Sequence, residues 1–122
     1  MIVDDDADAV EMYIELLSLH GFSACGTSTA LHAIELAVTQ RPDVILTDIN
    51  MPFVDGLTIL RTLKEHALTA QTPVVLLTGD ARAIERCREG GIAAVAILQK
   101  PCRPDVIVAT LRTALATPTA SS

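Results

Sequence analysis

Tryptophan is absent from the 122 residues, and the aromatic side chains are two Phe and one Tyr. Flat cofactors and single-stranded nucleic acid are usually held on aromatic faces, so neither is an expected ligand. Positive charge is also short. Nine Lys and Arg stand against fifteen Asp and Glu, a formal net charge of −6. A phosphate backbone has to be neutralised by cations, which argues against direct nucleic acid binding. Cysteine is sparse: Cys25, Cys87 and Cys102 are odd in number and far apart, with no C-x-x-C pair and no close His–Cys spacing for zinc. They read as free thiols in a reducing cytosol. No apolar run approaches the ~20 residues that cross a bilayer. The first residues lack the basic stretch and long apolar core of a secretory signal. A cytoplasmic protein without membrane contact is expected. His20, His32 and His66 lie at or near expected helix ends, where solvent should hold them.

What the chain has in quantity is aliphatic side chains. Half of its residues are hydrophobic. A chain of this length makes one domain and hides roughly two-thirds of its extended surface. There is no internal repeat. The small polar residues 117–122 read as a tail or linker stub, leaving residues 1–116 as the domain.

Strand-like and helix-like patterns alternate from end to end. Met1-Ile2-Val3 reads as the end of a strand, too short to sit comfortably inside a sheet, so residues upstream are expected to be missing. Ala7 to His20 places Val10, Ile14 and Leu17 at helical spacing, with Gly21 to close the helix. Phe22 to Gly26 reads as a short, weak strand. Ser28 or Thr29 can cap a helix reaching Gln40, with Ile34, Ala37 and Val38 inward. Asp43 to Asp48 is a buried strand, Gly56 to Ala67 a helix with Ile59, Leu60 and Leu63 inward, and Pro73 to Thr78 a second buried strand. Ala81 to Glu89 is a charged helix ended by Gly90-Gly91, and Ala94 to Leu98 a fifth strand. Pro104 opens a last helix with Ile107, Val108, Leu111 and Leu115 inward. Strands apolar on both faces and separated by helices imply a parallel sheet covered on both sides, an α/β doubly wound three-layer sandwich.

In such sheets ligands bind outside the carboxyl ends of the strands. The first strand ends in Asp4-Asp5-Asp6, the third in Asp48 and the fourth in Thr78, and the fifth leads to Lys100-Pro101. Four segments therefore deliver carboxylates, a hydroxyl and an ammonium to one edge. Asp4, Asp5 and Asp48 in one cleft repel one another, and a hard divalent cation relieves that repulsion. With only oxygen ligands at hand, Mg²⁺ suits the site better than zinc. A cation, a Lys and a hydroxyl together form a pocket for a dianionic phosphoryl group, and a carboxylate held in line can be its nucleophile. Each residue also has a plainer reading: Asp4 to Asp6 as a helix cap, Asp48 and Met51-Pro52 to Gly56 as turns, Thr78 as a strand residue, Lys100 as a solvated lysine.

The ordered set Val3-Asp4-Asp5-Asp6, Leu46-Thr47-Asp48-Ile49-Asn50-Met51-Pro52, Val75-Leu76-Leu77-Thr78-Gly79 and Lys100-Pro101 resembles the response-regulator receiver domains of two-component signalling. Gaps of 43, 30 and 22 residues separate Asp5, Asp48, Thr78 and Lys100. The resemblance spans residues 1 to about 116. It implies a flavodoxin-like fold of five parallel strands in the order 2-1-3-4-5 with five helices. It implies Asp48 as the phosphoacceptor, loaded from a kinase phosphohistidine in a Mg²⁺-dependent reaction. Asp5 would be the direct metal ligand, Asp4 its water-mediated neighbour, and the backbone carbonyl of Asn50 the third protein ligand. Thr78 would be the switch hydroxyl and Lys100 the phosphate-pairing cation, with a cis bond to Pro101. The implied partner is a sensor histidine kinase or a phosphotransfer protein. The implied role is a signalling phosphoacceptor that catalyses only its own phosphorylation and dephosphorylation, not an enzyme that turns over a metabolite.

Some positions depart from the pattern. Ile97 stands where the family usually carries a switching Tyr or Phe, and a β-branched side chain is stiff at χ1. Cys102 replaces a large apolar residue. Asn50 and Asp80 flank the expected phosphoryl position, where side chains tune hydrolysis. The helix with Arg82, Glu85, Arg86, Arg88 and Glu89, together with the fifth strand and last helix, offers a surface for a partner or for homodimerisation. The alternative function is a phosphorylation-independent interaction module of the same fold. A haloacid-dehalogenase-type phosphatase would want Asp where Asn50 stands, and a flavodoxin-like electron carrier would want a Ser/Thr-Gly phosphate loop and stacking aromatics. Asp8 through Gly21 resembles receivers attached to hybrid kinases, the context favoured slightly over a stand-alone regulator.

Overall fold

A computed structural model of the chain describes residues 1–49, 56–90 and 94–116. The strands are β1 (Ile2–Val3), β2 (Gly26–Thr27), β3 (Ile45–Asp48), β4 (Val74–Thr78) and β5 (Ala96–Gln99). The helices are α1 (Ala7–Leu19), α2 (Ala30–Gln40), α3 (Gly56–Glu65), α4 (Ala81–Glu89) and α5 (Pro104–Ala116). All strand pairs are parallel, and the sheet order is β2-β1-β3-β4-β5. This is the three-layer arrangement expected from the alternating pattern.

Alternation along the strands divides the core in two. Met1, Val3, Ile45, Val74 and Leu76 face a layer containing Ala33, Ala37, Ile59, Leu60, Leu63, Ala83 and Cys87 from α2, α3 and α4. Ile2, Leu46, Val75 and Leu77 face Val10, Tyr13 and Leu17 of α1 and Ile107, Val108 and Leu111 of α5. Successive strand residues point to opposite faces, so each central strand feeds both layers.

Local chemistry sets the helix ends. Asp6 caps α1 by accepting from the Asp8 N–H at 3.0 Å. At the far end Gly21 takes φ +87°, Gly21 N–H reaches Ser18 O and Phe22 N–H reaches Leu17 O. These two bonds form the reverse turn that glycine permits after a helix. Thr29 occupies the start of α2 without a capping bond of its own; its hydroxyl instead meets His32 Nδ1 at 3.0 Å. Asp80 caps α4 by accepting from Arg82 N–H at 2.9 Å.

Several expectations shift. The second strand lies at Gly26–Thr27 rather than Phe22–Gly26, because β1 offers only Ile2 and Val3 to pair with it. Residues 22–24 have no β1 residue beside them. The fifth strand runs Ala96–Gln99, one residue past the expected end, in register with Val75–Thr78. Leu115 is exposed and Ala114 is buried in its place, because Ile107, Val108, Leu111 and Ala114 form the inward stripe of α5. Ile14, Ile34 and Val38 are half-buried rather than buried, with Tyr13 and Ala33 facing inward instead. His20 and His32 are exposed as expected, but His66 is half-buried, its Nδ1 accepting from Leu68 N–H at 3.1 Å. Gly91 and residues 117–122, the second half of the expected glycine stop and the expected tail, lie outside the described residues. No helix among the described residues is long and apolar enough to cross a membrane.

Candidate acidic phosphoryl site

Parallel pairing brings the carboxyl ends of β1, β3, β4 and β5 to one edge. Asp4 follows β1, Asp48 ends β3, Thr78 ends β4, and Lys100 follows β5. Asp4 and Asp48 are buried at 3% and 8% exposure, whereas Asp5 is exposed. One carboxylate oxygen from each of the three lies within 4.8 Å of those of the other two. Two of the three acids are thus buried, and the third faces solvent.

Lys100 crosses this cleft. Its Nζ donates to Asp48 Oδ2 at 3.0 Å and to Asp4 Oδ2 at 3.4 Å. Burial alone would lower the Lys100 pKa. The hydrogen bond and charge of Asp48, then the charge of Asp4, outweigh it and leave the ammonium above its ordinary value. Lys100 thus offsets the repulsion between two buried carboxylates drawn from different strands. Its backbone N–H donates to Thr78 O at 2.7 Å, which fixes the start of its loop against β4. The Lys100–Pro101 bond is cis. Asp4 has a second partner: its Oδ1 accepts from Asp6 N–H at 3.0 Å, holding the turn into α1.

Thr78 is fully buried, and its hydroxyl oxygen accepts from Asp80 N–H at 3.1 Å. Gly79 between them leaves open space: a Cβ built there meets nothing nearer than Lys100 Cβ at 4.0 Å. Asp80, expected from sequence to flank the phosphoryl position, is the cap of α4. Asn50, expected to supply a backbone carbonyl, lies outside the described residues, as does the Met51-Pro52 turn.

The donors present suit a hard cation. Three carboxylates without imidazole or thiol match the oxygen preference of Mg²⁺, and converging negative charge is what such an ion relieves. Tyr13 was overlooked in the sequence. Its ring is buried on α1, burial raises its phenol pKa, and charges on Lys100, Asp4 and Asp48 also act on it. The signal was there, since Val10, Tyr13 and Leu17 recur at helical spacing along one face.

Known proteins share this fold. A family model of the response regulator receiver domain matches residues 1–112. The chain is 32% identical over 117 residues to the polar-differentiation response regulator DivK of Brucella anthropi, covering 94% of each. Among solved structures, a response regulator from Desulfuromonas acetoxidans is 30% identical with a TM-score of 0.83, covering 95% of this chain and 94% of that one. The signal receiver domain of a signal transduction histidine kinase from Syntrophus aciditrophicus is 29% identical with a TM-score of 0.83, covering 94% and 87%. With acids, hydroxyl and lysine gathered on the strand ends of a matching fold, the chain belongs to the response regulator receiver domain family.

Proposed function

We propose that this protein is the phosphoacceptor of a two-component phosphorelay, with Asp48 as the residue that is phosphorylated. The observation that carries the reading is the approach of Lys100 Nζ to Asp48 and Asp4 beside a triad of convergent carboxylates. An Asp48 carboxylate oxygen attacks phosphorus, the bond from phosphorus to a phosphohistidine nitrogen breaks, and the leaving imidazole takes up a proton. Asp4, Asp5 and Asp48 would hold Mg²⁺, with Asn50 as the expected further ligand. The bound ion would supply charge neutralisation for the phosphoryl oxygens. Lys100 would pair with one of those oxygens and Thr78 would donate a hydrogen bond to another. Both roles are electrostatic positioning, which needs few residues.

Residues 1–116 would form the receiver unit, acting in the cytoplasm on a sensor histidine kinase or a phosphotransfer protein. The exposed charges of α4, with β5 and α5, offer the surface for a partner or a second copy. A phosphorylation-independent module is the second reading, because Ile97 is half-buried against the α2–α4 core where the family usually swings an aromatic ring. The test is incubation with acetyl phosphate and Mg²⁺, followed by intact-mass measurement. Wild type should gain one phosphoryl group, and Asp48→Asn should gain none. Equal labelling of both chains overturns the assignment. Partner binding that ignores Asp48→Ala would favour the second reading.

A further inference from the structure

The charged groups of the acid site rise from one face of the sheet. Ile2, Leu46 and Leu98 pack toward α1 and α5, in the layer that holds Val10, Tyr13 and Leu17. Asp4, Asp48 and Lys100 each stand two residues further along the chain. Side chains two apart on a strand share a face, so all three emerge above the α1–α5 layer. The Lys100 bonds to Asp48 and Asp4, at 3.0 and 3.4 Å, agree with that placement. Thr78 belongs to the other face, two residues past Leu76.

Tyr13 carries a hydroxyl into that layer, with the residue only 8% exposed. α1 starts at its cap Asp6, beside the acids, and helix side chains lean back toward the amino end, which tips the phenol toward the site. Its electrostatic surroundings agree. After burial, which raises the phenol pKa, the groups that act on it are Lys100, Asp4, Asp48 and Cys102, all at the carboxyl edge of the sheet. Among the described residues no hydrogen bond ends on the phenol oxygen, although a buried tyrosine usually finds a partner. Lys100 has the converse need. An ammonium carries three N–H donors, and two are directed at Asp48 and Asp4.

We propose that Tyr13 is a positioning residue: its phenol oxygen receives the third N–H of Lys100 through one bridging water and steadies the ammonium between Asp4 and Asp48. A water in that place has the phenol, the ammonium and the Asp4 carboxylate as neighbours, enough polar partners to hold it. In the loaded site the same link keeps Lys100 where it pairs with a phosphoryl oxygen. That consequence rests on the phosphoacceptor reading, whereas the link itself does not.

The test is a double-mutant cycle on the whole chain: wild type, Tyr13→Phe, Lys100→Met and the two together. Phenylalanine keeps the ring and its packing and removes only the hydroxyl. With Lys100 present, Tyr13→Phe should lower Tm by about 2 °C or more. Beside Lys100→Met it should move Tm by less than about 1 °C, because the hydroxyl then has no ammonium to hold. Equal shifts in both backgrounds, or none in either, overturn the proposal. With one Tyr and no Trp in the chain, tyrosine emission reports this side chain alone. That emission should change between wild type and Lys100→Met; emission that ignores the substitution also overturns the proposal. Tyr13→Phe should slow the mass gain from acetyl phosphate and Mg²⁺ by about fivefold or more. An unchanged rate overturns the positioning role. If wild type itself gains no phosphoryl group, the phosphoacceptor reading fails, while the melting cycle still decides the link.

Discussion

Lys100 touches both buried acids, and the charge balance of the site turns on it. Removing its ammonium leaves Asp4 and Asp48 facing each other in a partly dry cleft. Lys100→Met should therefore melt below wild type, and millimolar Mg²⁺ should recover part of the loss; thermal melts with and without the ion check this. The pH dependence has a definite sign. The folded pKa of Lys100 lies above its ordinary 10.5, so its contribution is fully present below 10.5 and is lost as pH rises through the raised folded value. The gap in stability between wild type and Lys100→Met should close across that alkaline range, as urea titrations would show. Asp80 has two duties to separate. Asp80→Ala removes the cap of α4 and should cost about 1 kcal/mol, whereas Asp80→Asn keeps a capping oxygen and removes only the charge. If the carboxylate helps water attack the acyl phosphate, Asp80→Asn should lengthen its lifetime several-fold. Equal decay of the aspartyl phosphate in wild type and Asp80→Asn would reject that role.

At the scale of elements, the close approach of β1, β2 and α1 depends on one missing side chain. A Cβ on Gly26 would lie 2.8 Å from Ile2 O and 2.8 Å from Val10 Cγ1. The first is backbone of the paired strand and cannot move aside without breaking the ladder. Gly26→Ala should cost about 1–3 kcal/mol, the range for overpacking a tight site, read as a lower urea midpoint. The loop from α3 to β4 is tied differently. Lys64 Nζ donates to Thr72 O at 2.8 Å and to Ala70 O at 3.4 Å, and the buried Thr69 hydroxyl donates to Leu63 O at 2.6 Å. Burial lowers the Lys64 pKa, the expected consequence of drawing an ammonium into a loop to satisfy carbonyls.

For the molecule as a whole, the two edges of the sheet carry opposite problems. At one, carboxylates crowd together and need cations; at the other, the Met1 ammonium is drawn out of water. Since burial holds its folded pKa below 8.0, the unfolded chain binds more protons between the two values, and stability should rise with pH across that window. Nα-acetylated protein should lack that increment, which paired denaturation curves would measure. The alternating apolar pattern, the capping residue Asp6 and the ordered Asp4, Asp48, Thr78 and Lys100 were legible in the sequence, because periodicity and residue chemistry are local properties. The exact bounds of β2 were not, because a strand exists only where a partner lies beside it, and β1 supplies two residues. Nor was the inward turn of Ala114, which depends on how α5 rotates against the sheet. The sequence by itself determined which side chains stand at the strand ends. Only the tertiary structure decided that Lys100 reaches Asp4 and Asp48 together, since parallel pairing brings residues 96 and 52 positions apart within one hydrogen bond of the same nitrogen.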